Sequence, residues 1–205
     1  MRESVMRGQT TAQPTLISAL CSSTVGAGWL RAVLLAVVGS LLLTASAKIH
    51  VPFWPVPMTM QTFAVLVIGM AYGPRLGVAT VALYLVQGAL GLPVFAGTPE
   101  KGIGLAYMVG PTGGYLVGYL LAVLACGALA ERGWGRNVFT TAATLLIGNV
   151  LLFTTGVLWL GVLFGWGKPI LAWGLTPFLL GELTKMALAA VMMPLAWKAV
   201  RSRRG

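Results

Sequence analysis

Long apolar runs, separated by short breaks rich in Gly, Pro and Arg, fill the chain from residue 27 almost to its end. A run of about 20 apolar residues is long enough to cross a bilayer as a helix, and Pro interrupts such a helix. The pattern therefore predicts an all-α integral membrane protein with six transmembrane helices, over residues 27–47, 60–73, 75–92, 111–130, 138–165 and 176–199.

The two ends of the chain depart from this pattern. Residues 1–26 are polar and show no apolar periodicity, which predicts a flexible cytoplasmic tail before a membrane domain over residues 27–199. Residues 200–205 are expected to form a basic cytoplasmic tail. The first apolar run ends in Ala-Ser-Ala, which imitates a signal-peptidase site. Because the rest of the chain is itself membrane-embedded, a first helix that is retained is the better interpretation.

The composition agrees with lipid as the solvent, since 58% of the 205 residues are hydrophobic and 9% are charged. A formal net charge of +10 could suggest nucleic acid, but the basic residues lie between the apolar runs and at both ends. The inner segments of the predicted topology carry nine basic residues and the outer segments carry three, which places both termini in the cytoplasm. The inner residues are Arg2, Arg7, Arg75, Arg132, Arg136, Lys198, Arg201, Arg203 and Arg204, and the outer ones are Lys48, Lys101 and Lys168.

Catalytic chemistry finds little support in the sequence. The chain has one histidine, His50, and no aspartate, so neither a Ser-His-Asp triad nor a metal cluster can be assembled. The segment GWGKP lacks the spacing of a phosphate-binding loop. We therefore expect a protein that is not an enzyme, that holds no metal or cofactor, and whose energy source, if it transports, lies elsewhere.

Two charges in the last predicted helix are the strongest sign of a binding site. Glu182 and Lys185 are three residues apart and so share a helix face. Lys185 lies about nine residues from the outer end of its helix, roughly 13 Å deep. An ionisable group at such a depth costs about 2.5 to 3.5 kcal/mol and usually marks a site. The alternative is a structural ion pair that locks helices together.

Other polar side chains could line the same cavity as this pair. Gln61 opens the second predicted helix, Tyr84 and Gln87 are three residues apart on the third, and Asn149 interrupts the fifth. Each of these residues could instead make a hydrogen bond between helices. They are candidates for ligand contacts chiefly because they accompany Glu182 and Lys185.

The loop KIHVPFWPVPMTMQ contains three prolines, which exclude a helix interior. An apolar loop of this kind should fold back onto the protein. Phe53 and Trp54 in this loop could close the outer mouth of a cavity, or they could anchor the chain at the membrane interface. On the first helix, Ala32, Ala36 and Ser40 form a small-residue ridge, which predicts either a partner interface or packing within the bundle.

Four segments in order along residues 48–190 resemble the BioY family, the biotin-binding S components of energy-coupling-factor vitamin transporters. They are PVPMTMQTFAVLVIGMAYGPRLG, YLVQGALGLPVFAG, GPTGGYLVGY and PFLLGELTK. The resemblance implies a multi-pass protein of a prokaryotic cell membrane that captures biotin from outside. It also implies two kinds of partner, a transmembrane coupling protein and two cytoplasmic ATPases.

The resemblance also assigns roles to residues. The family's acidic residue and lysine that contact biotin fall on Glu182 and Lys185, although the usual acid is Asp, one methylene shorter. Small residues of the family's first helix meet the coupling protein, and Ala32 and Ala36 match them. Lys185 could pair with the biotin carboxylate, while Glu182, Gln61 and Asn149 could bond its ureido group. The alternatives are an S component for another vitamin and a membrane scaffold with a structural ion pair.

Overall fold

A computed structural model describes residues 13–20 and 28–202, and these residues are mainly helical. The helices and strands in chain order are α1 Leu16–Leu20, α2 Gly28–Lys48, β1 His50–Val51, β2 Met58–Thr59, α3 Gln61–Ala89, α4 Gly104–Met108, α5 Gly113–Glu131, α6 Val138–Phe164, α7 Ile170–Gly174 and α8 Leu179–Ser202. A single 3-10 turn, Thr176–Phe178, leads into α8.

Five segments within the described residues are long and apolar enough to cross a membrane. They are α2, α3, α5, α6 and the segment Ile170–Ser202, which contains α7 and α8. Large apolar side chains such as Val162 and Leu180 lie on the outside of the bundle, where 74% and 76% of their surface is exposed. Such an apolar exterior suits lipid better than water. The predicted class, a helical membrane protein, is confirmed.

Helix α3 is broken in its middle and folds back on itself. Gly73 has φ 81° and ψ 177°, a conformation outside the helical region, and Pro74 follows it. Gln61 Nε2 lies 2.6 Å from the Tyr84 hydroxyl, although 23 residues separate them and a straight helix would hold them about 35 Å apart. The two arms of α3 are therefore antiparallel, with the break at the GPRLG segment that the sequence predicts.

The arms of α3 pack against α5, which packs in turn against α6. The α3 turn approaches α5 so closely that a Cβ on Gly127 would collide with the backbone of Gly73 and Pro74. A side chain at Gly127 would separate the two elements, so this glycine is needed for the close approach. Helix α8 contacts both α6 and α3 and thereby closes the bundle around its polar interior.

The prediction of a flexible tail over residues 1–26 is wrong for residues 13–20. Helix α1 lies in this stretch, and its Ala19 is buried against Trp197 and Val200 of α8. The Gln13 N–H donates to the Glu131 carbonyl at 2.7 Å, which fixes the stretch to the end of α5. The other residues of the predicted tail lie outside the described residues.

Several boundaries and short elements also differ from the sequence prediction. The last helix begins at Leu179 and continues to Ser202, so residues 200–202 are helical and do not belong to a tail. The short helices α4 and α7 and the β1–β2 pairing, in which His50 faces Thr59, were not predicted. Elements of two to five residues are too short to show a periodic apolar pattern.

Candidate functional site

A cavity lies where the Pro-rich loop meets α3, α5, α6 and the start of α8. It encloses about 470 Å³, a figure that includes the open space at its mouth. Its walls are largely aromatic, and its polar groups belong mainly to threonines, Gln61 and one carboxylate. The aromatic side chains are Phe95, Tyr107, Tyr115, Tyr119, Phe153 and Phe178. The polar residues besides the tyrosines are Thr59, Gln61, Thr62, Thr112 and Glu182.

Lys185 is buried and uses all three of its ammonium hydrogens inside the protein. Its Nζ lies 2.7 Å from Glu182 Oε1, 2.6 Å from the Thr59 carbonyl and 3.0 Å from Thr62 Oγ1. An ammonium group has three donors, so none is left over for a ligand. Lys185 is also absent from the side chains that line the cavity. The lysine therefore ties the start of α8 to the start of α3.

Glu182 presents one satisfied and one unsatisfied oxygen. Oε1 accepts from Lys185 and from the Thr62 hydroxyl, the latter at 2.8 Å. Oε2 is buried and has no hydrogen-bond partner among the described residues. A buried acceptor left without a donor is costly, so a carboxylate oxygen at a cavity wall is suited to a ligand N–H or O–H. Of the two charged residues, Glu182 is the one that faces the cavity.

Thr59 and Thr62, which hold Lys185, were missed by sequence reasoning. Thr59 pairs with His50 at the end of β2, and Thr62 lies in the first turn of α3. The available signal was a cluster of polar residues, since Thr59, Gln61 and Thr62 are close together inside an apolar stretch. A cluster of polar residues within a membrane segment indicates a candidate site, as buried charges do.

Gln61 is fixed at the cavity wall by two tyrosines. Its Nε2 donates to the Tyr84 hydroxyl at 2.6 Å, which itself donates to the Val94 carbonyl at 3.2 Å. The Tyr119 hydroxyl approaches Gln61 Oε1 at 3.5 Å. Tyr84 is fully buried behind Gln61 and is not among the residues that line the cavity, so its role as a ligand contact stays a prediction. Gln87 is half-buried and is likewise not among the cavity's lining residues.

Asn149 is buried on α6 with both of its amide atoms unpartnered. Only 6% of the residue is exposed, and neither Nδ2 nor Oδ1 has a hydrogen-bond partner in the described structure. Asn149 lines an apolar groove between α6 and α8 that also touches Glu182 and Phe153. Since these two residues belong to the cavity wall as well, Asn149 lies directly behind that wall.

The Pro-rich loop folds back onto the protein, as its apolar sequence predicts. Pro55, Val56 and Pro57 are buried, and the last two line the cavity. Phe53 contacts the cavity residue Phe178, with 6.4 Å between ring centroids. Trp54 is 67% exposed. The loop therefore does cover the cavity, although Val56 and Pro57, which the sequence did not single out, provide its inner surface.

Trp54 has a different environment from the rest of the loop. Its ring lies 4.9 Å from the ring of Trp173 on α7 and 5.9 Å from that of Phe164 at the end of α6. The three rings form a cluster outside the cavity. Trp54 thus connects the loop to α6 and α7, and any part it has in closing the cavity is indirect.

The GLPVFAG segment supplies the opposite wall of the cavity. Phe95 stacks on Tyr107 of α4, with ring centroids 4.8 Å apart. The Lys48 ammonium at the end of α2 donates to the Phe95 carbonyl and to Thr98 Oγ1, both at 3.0 Å, which fixes the segment. Burial raises the pKa of the Tyr107 phenol, so it remains neutral at physiological pH.

The small-residue ridge on α2 divides between two environments. Ala32 is exposed, but Ala36 and Ser40 are buried inside the chain. The neighbouring Gly39 lies so close to α3 that a Cβ there would collide with Thr80. Of the three ridge residues only Ala32 is exposed in this conformation, and the partner interface stays a prediction.

A family model and curated relatives are similar to this chain, and they point to the same family. The model of a family described as the BioY family matches residues 12–202. Over 151 residues the chain is 34% identical to a probable biotin transporter BioY of Pyrococcus horikoshii, covering 74% of this chain and 86% of that protein. Over 163 residues it is 33% identical to a biotin transporter BioY of Thermotoga maritima, covering 80% and 94%.

A solved structure shares the fold. It is the 2.1 Å crystal structure of the S-component for biotin from an ECF-type ABC transporter. The likeness has a TM-score of 0.70 at 23% sequence identity, and it covers 89% of this chain and 96% of that one.

Proposed function

Because the chain belongs to the BioY family, we propose that it is the membrane-embedded biotin-binding subunit of a biotin uptake transporter. The observation that carries the proposal is the buried, unpartnered Oε2 of Glu182 at the wall of an aromatic cavity. Relatives named as biotin transporters support the choice of ligand.

The chemistry of biotin matches the unsatisfied atoms around the cavity. Its ureido group has two N–H donors on either side of a carbonyl acceptor. Glu182 Oε2 offers an acceptor, and the Asn149 amide directly behind the cavity wall offers a donor and an acceptor, all three atoms buried and unpartnered. Aromatic walls of the kind found here suit the fused rings and the apolar valeryl chain. We place the ureido group on the side of Glu182.

Lys185 then acts on biotin through Glu182. All three of its donors are engaged within the chain, so pairing with the biotin carboxylate would require breaking its bond to Thr59 or Thr62. Its charge compensates Glu182 and fixes Oε1, which leaves Oε2 as the oxygen without a partner. Lys185 is therefore a positioning residue in this proposal, a change from the direct contact that the sequence suggested.

The proposed topology has six crossings with both termini in the cytoplasm. The two antiparallel arms of α3 each count as one crossing, which turns five apolar segments into six spans. The excess of basic residues on the predicted inner segments supports this orientation. The location that follows is a prokaryotic cell membrane.

The proposed assembly includes a transmembrane coupling protein and two cytoplasmic ATPases, because the structural relative comes from an ECF-type ABC transporter. In this assembly the chain itself binds and releases biotin and performs no catalysis. We propose no resident cofactor and no nucleic-acid partner, since biotin is the transported ligand. Ala32 is the residue of the α2 ridge that remains accessible to the coupling protein.

A membrane scaffold with a structural ion pair is the second candidate. The hydrogen bonds of Lys185 within the chain favour the scaffold hypothesis. The unpartnered Oε2 of Glu182 argues against it. Titration of the detergent-purified chain with labelled biotin separates the two. Saturable binding with one site per chain supports the transport subunit, and a lack of binding by folded protein supports the scaffold.

A further inference from the structure

A groove between the start of α6 and the end of α8 gathers three cations. Arg136 precedes α6, and Lys198 and Arg201 lie on the last turns of α8. The groove encloses about 790 Å³, including the space at its mouth. Lys198 lies 16 positions beyond Glu182 on the same helix, about 24 Å along its axis. The groove is thus at the opposite end of the bundle from the proposed biotin site.

Within the described residues, the cations in this groove have no carboxylate partner. The ion pair found in the described part of the chain is the one between Lys185 and Glu182. Arg136 is held in place by Trp197, whose ring centroid lies 4.9 Å from the guanidinium carbon. Its Nε is buried and has no hydrogen-bond acceptor within the described residues. A fixed guanidinium with an unused buried donor is suited to an anionic oxygen.

The rest of the groove is apolar and faces outward from the spanning helices. Val138 on α6 and Val191 and Leu195 on α8 line it, with 46%, 50% and 58% of their surface exposed. This flank belongs to helices that are apolar enough to span a membrane. A ligand that fits the whole groove therefore has an anionic head for the cations and hydrocarbon for the flank.

We propose that this groove binds one anionic phospholipid, with its phosphate against Arg136, Lys198 and Arg201 and an acyl chain along Val138, Val191 and Leu195. Basic pockets between transmembrane helices are known to hold anionic headgroups. The positive-inside bias explains why basic residues lie at this end, but it does not require three of them to converge on one groove.

The test compares lipids on the full-length chain purified in detergent, with native mass spectrometry as the readout. We expect dioleoyl phosphatidylglycerol to be retained about 100-fold better than dioleoyl phosphatidylcholine, because three basic residues contribute about 1 kcal/mol each. A basic residue near an anionic surface contributes about 1 kcal/mol, so each single change, Arg136→Gln, Lys198→Gln or Arg201→Gln, should reduce retention about fivefold. The triple variant should lose the preference for phosphatidylglycerol.

A matched control triple, Arg75→Gln, Arg132→Gln and Lys168→Gln, removes three exposed cations that lie outside the groove. We expect it to keep the lipid preference of the unmodified chain. An equal loss in the control would show a general charge effect and overturn the site. Because the comparison of two lipids uses the unmodified chain, the proposal remains testable even if the triple variant fails to fold.

Two further outcomes would also overturn the proposal. Displacement of phosphatidylglycerol by inorganic phosphate at equal concentration would identify a site for free anions. Equal retention of the two lipids by the unmodified chain would show that the groove does not select an anionic headgroup.

Discussion

Lys185 and Glu182, one turn apart on α8, form a buried ion pair of 2.7 Å in which only the acid faces the cavity. The lysine ammonium also donates to the Thr59 carbonyl and to the Thr62 hydroxyl, so all of its donors are used within the protein. The acid retains one free oxygen. This asymmetry is the basis of the two roles that we propose, ligand contact for Glu182 and positioning for Lys185.

The first prediction concerns the charge of Glu182. Glu182→Gln should weaken biotin binding by about tenfold or more, because a hydrogen bond to a charged acceptor is worth about 1.5 to 3 kcal/mol. Glu182→Asp, which keeps the charge and shortens the side chain by one methylene, should bind within about fivefold of the unmodified chain. Titration of purified protein with labelled biotin measures both. Equal affinity of the Gln variant would remove Glu182 from the site.

The second prediction tests the positioning role of Lys185. Lys185→Ala should weaken biotin binding about tenfold and also destabilise the protein by about 3 to 5 kcal/mol, because it leaves a buried carboxylate without its cation. The variant should still insert into the membrane. Thermal unfolding and biotin titration provide the two measurements. Unchanged affinity would show that Lys185 has no part in the site.

The double variant Glu182→Gln, Lys185→Met separates stability from function. Replacing a buried ion pair by neutral groups is often neutral or stabilising, so much of the stability lost in Lys185→Ala should return. Biotin binding should not return with it, because the acceptor for the ureido N–H is weakened. If binding recovered together with stability, the ion pair would be a purely structural feature.

Much of the fold could be predicted from the sequence because membrane helices are specified locally. Run length and apolar content located the spans, and Gly73 with Pro74 marked the break in α3, since this pair cannot continue a helix in that conformation. The short helices α4 and α7 escaped prediction. Their few residues follow the surrounding structure and leave no periodic signal of their own.

The site was only partly predictable because its partners are distant along the chain. The acceptors of Lys185 come from Thr59 and Thr62, 126 and 123 residues away. Sequence spacing shows that Glu182 and Lys185 share a face, but it does not show which of them is covered by α3. The same limitation applies to Tyr84, whose polar hydroxyl suggested a ligand contact and whose partner is Gln61.

The third prediction addresses the topology. In a Cys21→Ser background, Glu100→Cys should react with an impermeant thiol reagent added to intact cells, whereas Arg75→Cys should react only after permeabilisation. Lys198→Cys should behave like Arg75→Cys, because six crossings place both positions inside. The native Cys126 is buried and should stay unlabelled. Labelling of both Arg75→Cys and Glu100→Cys from outside would contradict a hairpin of two crossings in α3.

The fourth prediction is that Asn149 lowers the stability of the protein and contributes to biotin binding. Asn149→Leu has a similar shape and removes two buried, unpartnered polar atoms, so it should raise the free energy of unfolding by about 1 to 3 kcal/mol. It should also weaken biotin binding about tenfold if the amide bonds the ureido group.

Asn137→Ala is the matched control, at the N-cap of the same helix. The Asn137 side chain caps α6 by accepting from the Thr140 N–H at 2.9 Å, so its loss should lower the free energy of unfolding by about 1 kcal/mol without changing the affinity for biotin. Thermal unfolding and biotin titration of both variants decide the matter, and an Asn149→Leu protein that binds as tightly as the unmodified chain would exclude Asn149 from the site.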